Sequence, residues 1–164
     1  MVMNRRFNTA GLLFAISLLS GCRAPEIESN PPTPSMLIPD VAPRYLVIAS
    51  TLNDSFRITG GMASENRNAI GELWAALRSR PPVRPNGYLW EPPRPMVFLD
   101  GQSNILFAAR YWRFAKPVDT FEIWSAVRWP EVYVLVEPSK HRVGVAVPGA
   151  EAILTRCFPT LISK

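Results

Sequence analysis

The sequence predicts an α+β domain, an antiparallel sheet of about five to seven strands with one main helix packed on a face. Two observations carry this. Short runs of β-branched and aromatic residues recur along the chain and end in turn residues, several of them with hairpin spacing. One segment between these runs instead places apolar residues three and four apart. Strands with a segregated helix are the α+β pattern.

The elements follow in order. Arg44 to Thr51 is rich in strand formers, Leu52-Asn53-Asp54 supplies turn chemistry, and Ser55 to Thr59 alternates again, so a hairpin is expected, ended by Gly60-Gly61. Ser64 is then a candidate helix cap. Ile70, Leu73, Trp74 and Leu77 form one apolar face, and the helix should run from about Glu65 to Ser79, stopped by Pro81-Pro82. Arg78 to Pro95 holds six prolines and four arginines, with Asn86-Gly87 as a tight turn, and should lack regular structure. Met96 to Leu99 and Asn104 to Phe114 flank Asp100-Gly101, a hairpin signal. Asp119 to Trp129 fits a strand by the alternation of Phe121, Ile123, Val127 and Trp129, and a helix by Phe121, Trp124 and Val127. Glu131 to Glu137 and His141 to Val147 suggest another hairpin. Pro148-Gly149 opens a short helix from about Ala150 to Cys157.

The first 22 residues carry a different kind of signal. Arg5 and Arg6 form a short basic region, and Ala10 to Leu19 is almost wholly apolar. Ten residues make about 15 Å of helix, too short for a bilayer core that needs about 20 residues. A basic start, a short apolar run and small residues form a secretory signal peptide. The Arg5-Arg6 pair lacks the fuller twin-arginine pattern, which favours the general secretory route. The run ends in Leu19-Ser20-Gly21-Cys22, which resembles the lipobox of bacterial lipoproteins at all four positions. The resemblance implies diacylglyceryl transfer to the Cys22 thiol and cleavage before it. Several acyl chains then give stable anchoring. By the same resemblance, Arg23 in place of an aspartate favours the periplasmic face of the outer membrane, with the inner membrane as the alternative.

The expected organisation is a cleaved signal peptide at 1–21, a lipidated Pro-rich tether at 22–43 and a single domain at 44–164. The tether carries Pro25, Pro31, Pro32, Pro34, Pro39 and Pro43 and reads as an extended spacer, although Met36-Leu37-Ile38 could instead dock on the domain. Without Arg5 and Arg6 the chain keeps 16 basic against 13 acidic residues, a net of +3. The arginines are scattered, and nucleic acid is not an expected partner. With Cys22 lipidated, Cys157 is left without an intramolecular partner, which excludes a disulfide framework and a Cys-based zinc site. Cys157 lies among apolar residues, as a buried thiol does, with an intermolecular disulfide as the alternative.

Little in the sequence points to catalysis. His141 is the single histidine, and no Gly-x-Ser-x-Gly elbow is present. Gly60-Gly61 lacks the rest of a phosphate loop. Glu65 and Glu72 lie two turns apart on the helix, as solvent-face charges do. No cofactor and no metal are expected. The candidate binding residues are Arg80, Arg84, Tyr88, Trp90 and Arg94. Rigid aromatics and arginines in a proline-stiffened loop suit a protein interface, because little entropy is lost on binding. The expected function is thus a non-enzymatic, membrane-anchored envelope lipoprotein that binds a protein partner or assembly component. The alternative is an inhibitor or immunity-type lipoprotein against a toxin or hydrolase, and a cell-wall hydrolase with carboxylate catalysis comes third.

Overall fold

A computed structural model of the chain describes residues 32–49, 56–84, 92–113, 118–130, 132–137 and 142–162. The signal segment with Cys22, the turn at 52–54, Tyr88, Trp90 and His141 lie outside the described residues. No described helix is long and apolar enough to cross a membrane.

The fold is α+β, with one antiparallel sheet and helices packed on one face. In chain order the elements are α1 (Pro34–Leu37), β1 (Tyr45–Ile48), β2 (Arg57–Ile58), β3 (Met62–Ser64), α2 (Arg67–Ser79), β4 (Pro82–Val83), β5 (Arg94–Leu99), β6 (Ile105–Trp112), β7 (Thr120–Trp129), β8 (Val132–Val136), β9 (Val143–Ala146), α3 (Ala150–Cys157) and α4 (Pro159–Ile162). Seven strands run side by side in the order β2-β8-β7-β6-β5-β1-β3, and β9 pairs with both β7 and β4. The two ends of that row, β2 and β3, are consecutive in the chain. Only Thr59-Gly60-Gly61 separates them, so the sheet must curl to bring its ends together.

The glycines make this junction fit. Gly60 has φ of 63°, a conformation that costs glycine no Cβ clash. At Gly61 a Cβ would fall 2.7 Å from the Ile48 carbonyl oxygen and 2.8 Å from Ile58 Cγ2. The backbone there lies directly against β1.

Curling divides the interior into two cores. Leu46, Ile48, Met96, Phe98, Tyr111, Phe121 and Val145 project from one face of the sheet and pack under Ile70, Leu73 and Leu77 of α2 and Ile153 and Leu154 of α3. Val47, Val97, Ala108, Trp124, Leu135 and Ile58 project from the other face and fill the inside of the curl. Because β5 is covered on both faces, all six of its residues are buried, and its sequence reads as a continuous apolar run after Arg94.

The main helix matches its periodicity. Ile70, Leu73 and Leu77 are fully buried, and Trp74 at the edge of that face donates its indole N–H to the Pro39 carbonyl at 3.3 Å. The cap differs from the expectation. Asn66 caps the helix, its side-chain oxygen accepting from the Ala69 N–H at 3.2 Å, while Ser64 belongs to β3. Residues 34–40 pack on the domain, as the docking alternative for Met36-Leu37-Ile38 has it. Ile38 is fully buried, and Arg78 pairs with Asp40.

Two expected hairpins are not hairpins. β1 and β2 do not pair: β1 lies between β3 and β5, and β2 pairs with β8. Nor do β8 and β9 pair: each lies against β7, at Ser125–Trp129 and Thr120–Ile123 respectively. The segment expected to be irregular contributes β4 and the start of β5. Segment 119–129 resolves to a strand from Thr120 onward, β7. The β5–β6 hairpin and α3 stand where expected. The Asp100 carboxylate closes that hairpin by accepting from the Gln102 and Asn104 backbone N–H groups, each at 2.8 Å. Asp100 is held below the usual carboxylate range by the Asn104 side-chain amide first, and by those backbone donors.

Candidate binding surface

The candidate surface centres on β7, which is ten residues long and only half covered by β6. Pairing with β6 runs from Trp112↔Thr120 to Ala108↔Trp124 and stops there. The cause is local. The β5–β6 register shifts between Phe98 and Leu99, with Phe98 opposite Phe107 and Leu99 opposite Ile105. Leu106 is therefore an extra residue on β6, a bulge. Bulges bend a strand and end its pairing. Beyond it, β6 and β7 splay apart, and the gap holds a cavity of about 200 Å³ lined by Leu37, Ile105, Phe107, Trp124, Ser125 and Ala126 among others.

The direction of the β7 backbone groups follows from the ladders. Successive residues of a strand direct their N–H and C=O to opposite edges. The Val147 N–H donates to the Asp119 carbonyl at 2.9 Å, which sets the odd-numbered residues toward β9. Trp129 pairs with Val132 across two residues, and in so tight a hairpin the flanking pair exchanges both bonds. The odd-numbered residues thus face β8 as well. The even-numbered residues face β6 as far as Trp124. Ala126 and Arg128 face the same way, beyond the point where β6 has turned aside, and among the described residues no group bonds to their backbone on that edge.

The half of β7 that leaves β6 forms an arm with β8. Its inner face is covered, since Ala126 and Leu135 pack into the core inside the curl beside Ile58. Its outer face carries Val127 opposite Val134, Trp129 opposite Val132 and Ser125 opposite Val136. This continues the face of Phe121 and Ile123, but the helix-covered core includes no residue of β7 after Ile123. Val127, Trp129 and Val136 are 47%, 65% and 43% exposed. Larger exposed apolar patches are where interaction surfaces are sought, and exposed tryptophan is a frequent interface anchor.

Inside the curl, β6 and β7 place a charged cluster. Arg110 and Glu122 are cross-strand partners, both buried, with Nη1 3.8 Å from Oε2. The Arg110 guanidinium lies 5.0 Å from the ring centres of Trp112 and Trp124 and 5.4 Å from that of Phe56. Such contacts gain strength once desolvated. Burial pushes the Arg110 pKa down and the Glu122 charge pushes it back up; the guanidinium remains charged throughout. Arg142 Nε lies 3.5 Å from Glu122 Oε1 and 2.6 Å from Glu137 Oε1. The buried Arg110–Glu122 pair is thus extended to the surface by the exposed Arg142 and Glu137, which flank β9 and β8.

Of the residues expected to form one binding loop, Arg80, Arg84 and Arg94 are among the described residues. Arg80 follows α2 as its C-cap and is half-buried, and Arg84 is exposed just after β4. Arg94 is the first residue of β5, opposite Tyr111 in the ladder and 8% exposed. Its side chain is buried in the sheet rather than exposed on a loop. Tyr88 and Trp90 lie outside the described residues. Tyr111 and Trp112 point to opposite faces and both pack, Tyr111 under the helices and Trp112 beside Arg110. Cys157 is buried, and burial pushes its thiol pKa up against the opposing effect of a hydrogen bond with Ser64. Sequence reasoning missed Val127, Trp129 and Val136 as a surface. The signal was present: Val132 to Val136 is apolar at every position, whereas a strand with one solvated face alternates. Searches of family models, curated proteins and solved structures find nothing that matches this chain, so the functional reading rests on its own geometry.

Proposed function

We propose that the chain is a non-enzymatic envelope lipoprotein, anchored through acylated Cys22 to the periplasmic face of the outer membrane, whose domain binds a protein partner through the outer face of the β7–β8 arm. The carrying observation is the arm itself, two paired strands with Val127, Trp129 and Val136 exposed on one face. Solvating such a face costs free energy that burial against a partner recovers, at about 25 cal/mol per Å² of apolar surface. The lipobox resemblance at Leu19-Ser20-Gly21-Cys22 supports the anchor, and the proline-bearing stretch at 23–33, ahead of the docked residues, supports a domain held off the membrane. A protein that blocks a toxin or hydrolase would use the same face, and the identity of what it binds separates the two readings.

The test is a Val127→Ser, Trp129→Ser double variant of the full chain. Both side chains face solvent, so its denaturation midpoint should match wild type while its complexes in envelope extracts disappear. Unchanged complexes would remove the arm from the account.

A further inference from the structure

The notch between β6 and β7 adds a mode of recognition to the proposed function, on which this inference rests. We propose that the partner contributes an extended segment that adds as a strand to the open edge of β7 at Ala126 and Arg128, with an apolar side chain in the cavity beside Ser125 and an acidic side chain on Arg128.

Three observations converge. The first is the edge: the backbone of Ala126 and Arg128 faces away from β8 and has no described partner, because the Leu106 bulge ends the β6 ladder at Trp124. Only an extended main chain satisfies donors and acceptors spaced two residues apart along a strand. The second is the cavity of about 200 Å³ at the root of that edge, whose lining includes Leu37, Ile105, Phe107 and Ala126. It is large enough for one aliphatic side chain, and its walls are about equally polar and apolar. The third is charge. Arg128 is exposed on the open stretch itself, its guanidinium lies 6.0 Å from the centre of the Tyr133 ring, and among the described residues no carboxylate pairs with it. An incoming acidic side chain there is complementary, and complementarity of this kind sets register and orientation. Natural sheets usually blunt their edges with charge, bulges or cover. Here the bulge creates the open edge, and the apolar residues stand beside it.

The full chain in detergent is used to select from a phage-displayed random heptapeptide library, and the best binder is synthesised with one backbone amide N-methylated at a time. The proposal predicts selected sequences with alternating apolar residues, an acid and no central proline. N-methylation should weaken binding at every second amide, about tenfold for each edge bond lost, and leave the intervening positions unaffected. Arg128→Glu should weaken acidic peptides and spare a variant whose acid is replaced by lysine. Helical or proline-rich selected sequences, equal tolerance of N-methylation along the peptide, or no selected binder would each overturn it. The two levels remain separable. Arm-dependent envelope complexes without the period-two pattern would leave the proposed function standing and the strand-addition mode refuted. A period-two pattern without envelope complexes would do the reverse.

Discussion

Arg110 and Glu122 face each other across β6 and β7 inside the curl of the sheet, Nη1 to Oε2 3.8 Å, with the guanidinium among Phe56, Trp112 and Trp124. Removing one partner leaves an uncompensated charge, which typically costs about 3–5 kcal/mol, whereas replacing both with apolar groups costs much less. Glu122→Gln should therefore lower unfolding free energy by roughly 3 kcal/mol in urea titrations. Arg110→Met with Glu122→Leu should lose less than the single variant. A double variant weaker than Glu122→Gln would show that the pair stabilises the sheet in its own right.

The curl depends on Gly61. A Cβ there would meet the Ile48 carbonyl and the Ile58 side chain, and forcing atoms into a packed interior costs about 1–3 kcal/mol. Gly61→Ala should lower the thermal midpoint. Gly71→Ala in α2, where a Cβ meets nothing within 4 Å, should raise it, because glycine inside a helix costs about 1 kcal/mol relative to alanine. Equal effects from the two would separate the Gly60-Gly61 junction from closure of the sheet.

The helix-side core predicts an alkaline limit. Burial, reinforced by Asp119, pushes the Tyr111 phenol far above its ordinary value of 10.0. A raised acid pKa means the fold prefers the neutral form, so this contribution is complete below about pH 10 and is lost as pH rises beyond it. Wild type should lose stability progressively above pH 10. Tyr111→Phe should show a flatter profile over the same range, measured by urea midpoints at successive pH values. Identical profiles would place the alkaline transition elsewhere.

Much of the fold could be read from local pattern, and the reason shows in where reading failed. The α2 face Ile70, Leu73 and Leu77 and the Asp100-Gly101 turn are set by residues within a few positions of one another, and both stand as expected. Pairing of β1 with β5 and β3, and of β2 with β8, is set by which faces must be buried after the sheet curls. Neighbours in sequence carry no trace of that. The turn residues Leu52-Asn53-Asp54 invite a hairpin that the curl does not use. The exposed arm surface escaped sequence reading for a related reason. Its openness depends on one extra residue at Leu106, twenty positions or more from the strand edge it exposes, and on helices that end short of Val127. Aromatic and arginine content in the loop at 80–94 was a compositional signal, and Arg94 shows its limit: a residue counted with the loop belongs to the sheet.

Anchoring predicts its own separation of parts. Cys22→Ser should abolish acylation and normal processing while the domain still folds, read by membrane fractionation and thermal midpoint. A Cys22→Ser protein that remains membrane-bound after signal cleavage would contradict lipid attachment.

The most direct test of the central claim is site-specific photo-crosslinking in living cells, with the photoreactive residue placed in turn at Val127, at Trp129 and at the exposed Arg84. The account predicts one discrete protein adduct from the two arm positions and none from Arg84. Adducts from Arg84 alone, or none from the arm, would contradict it.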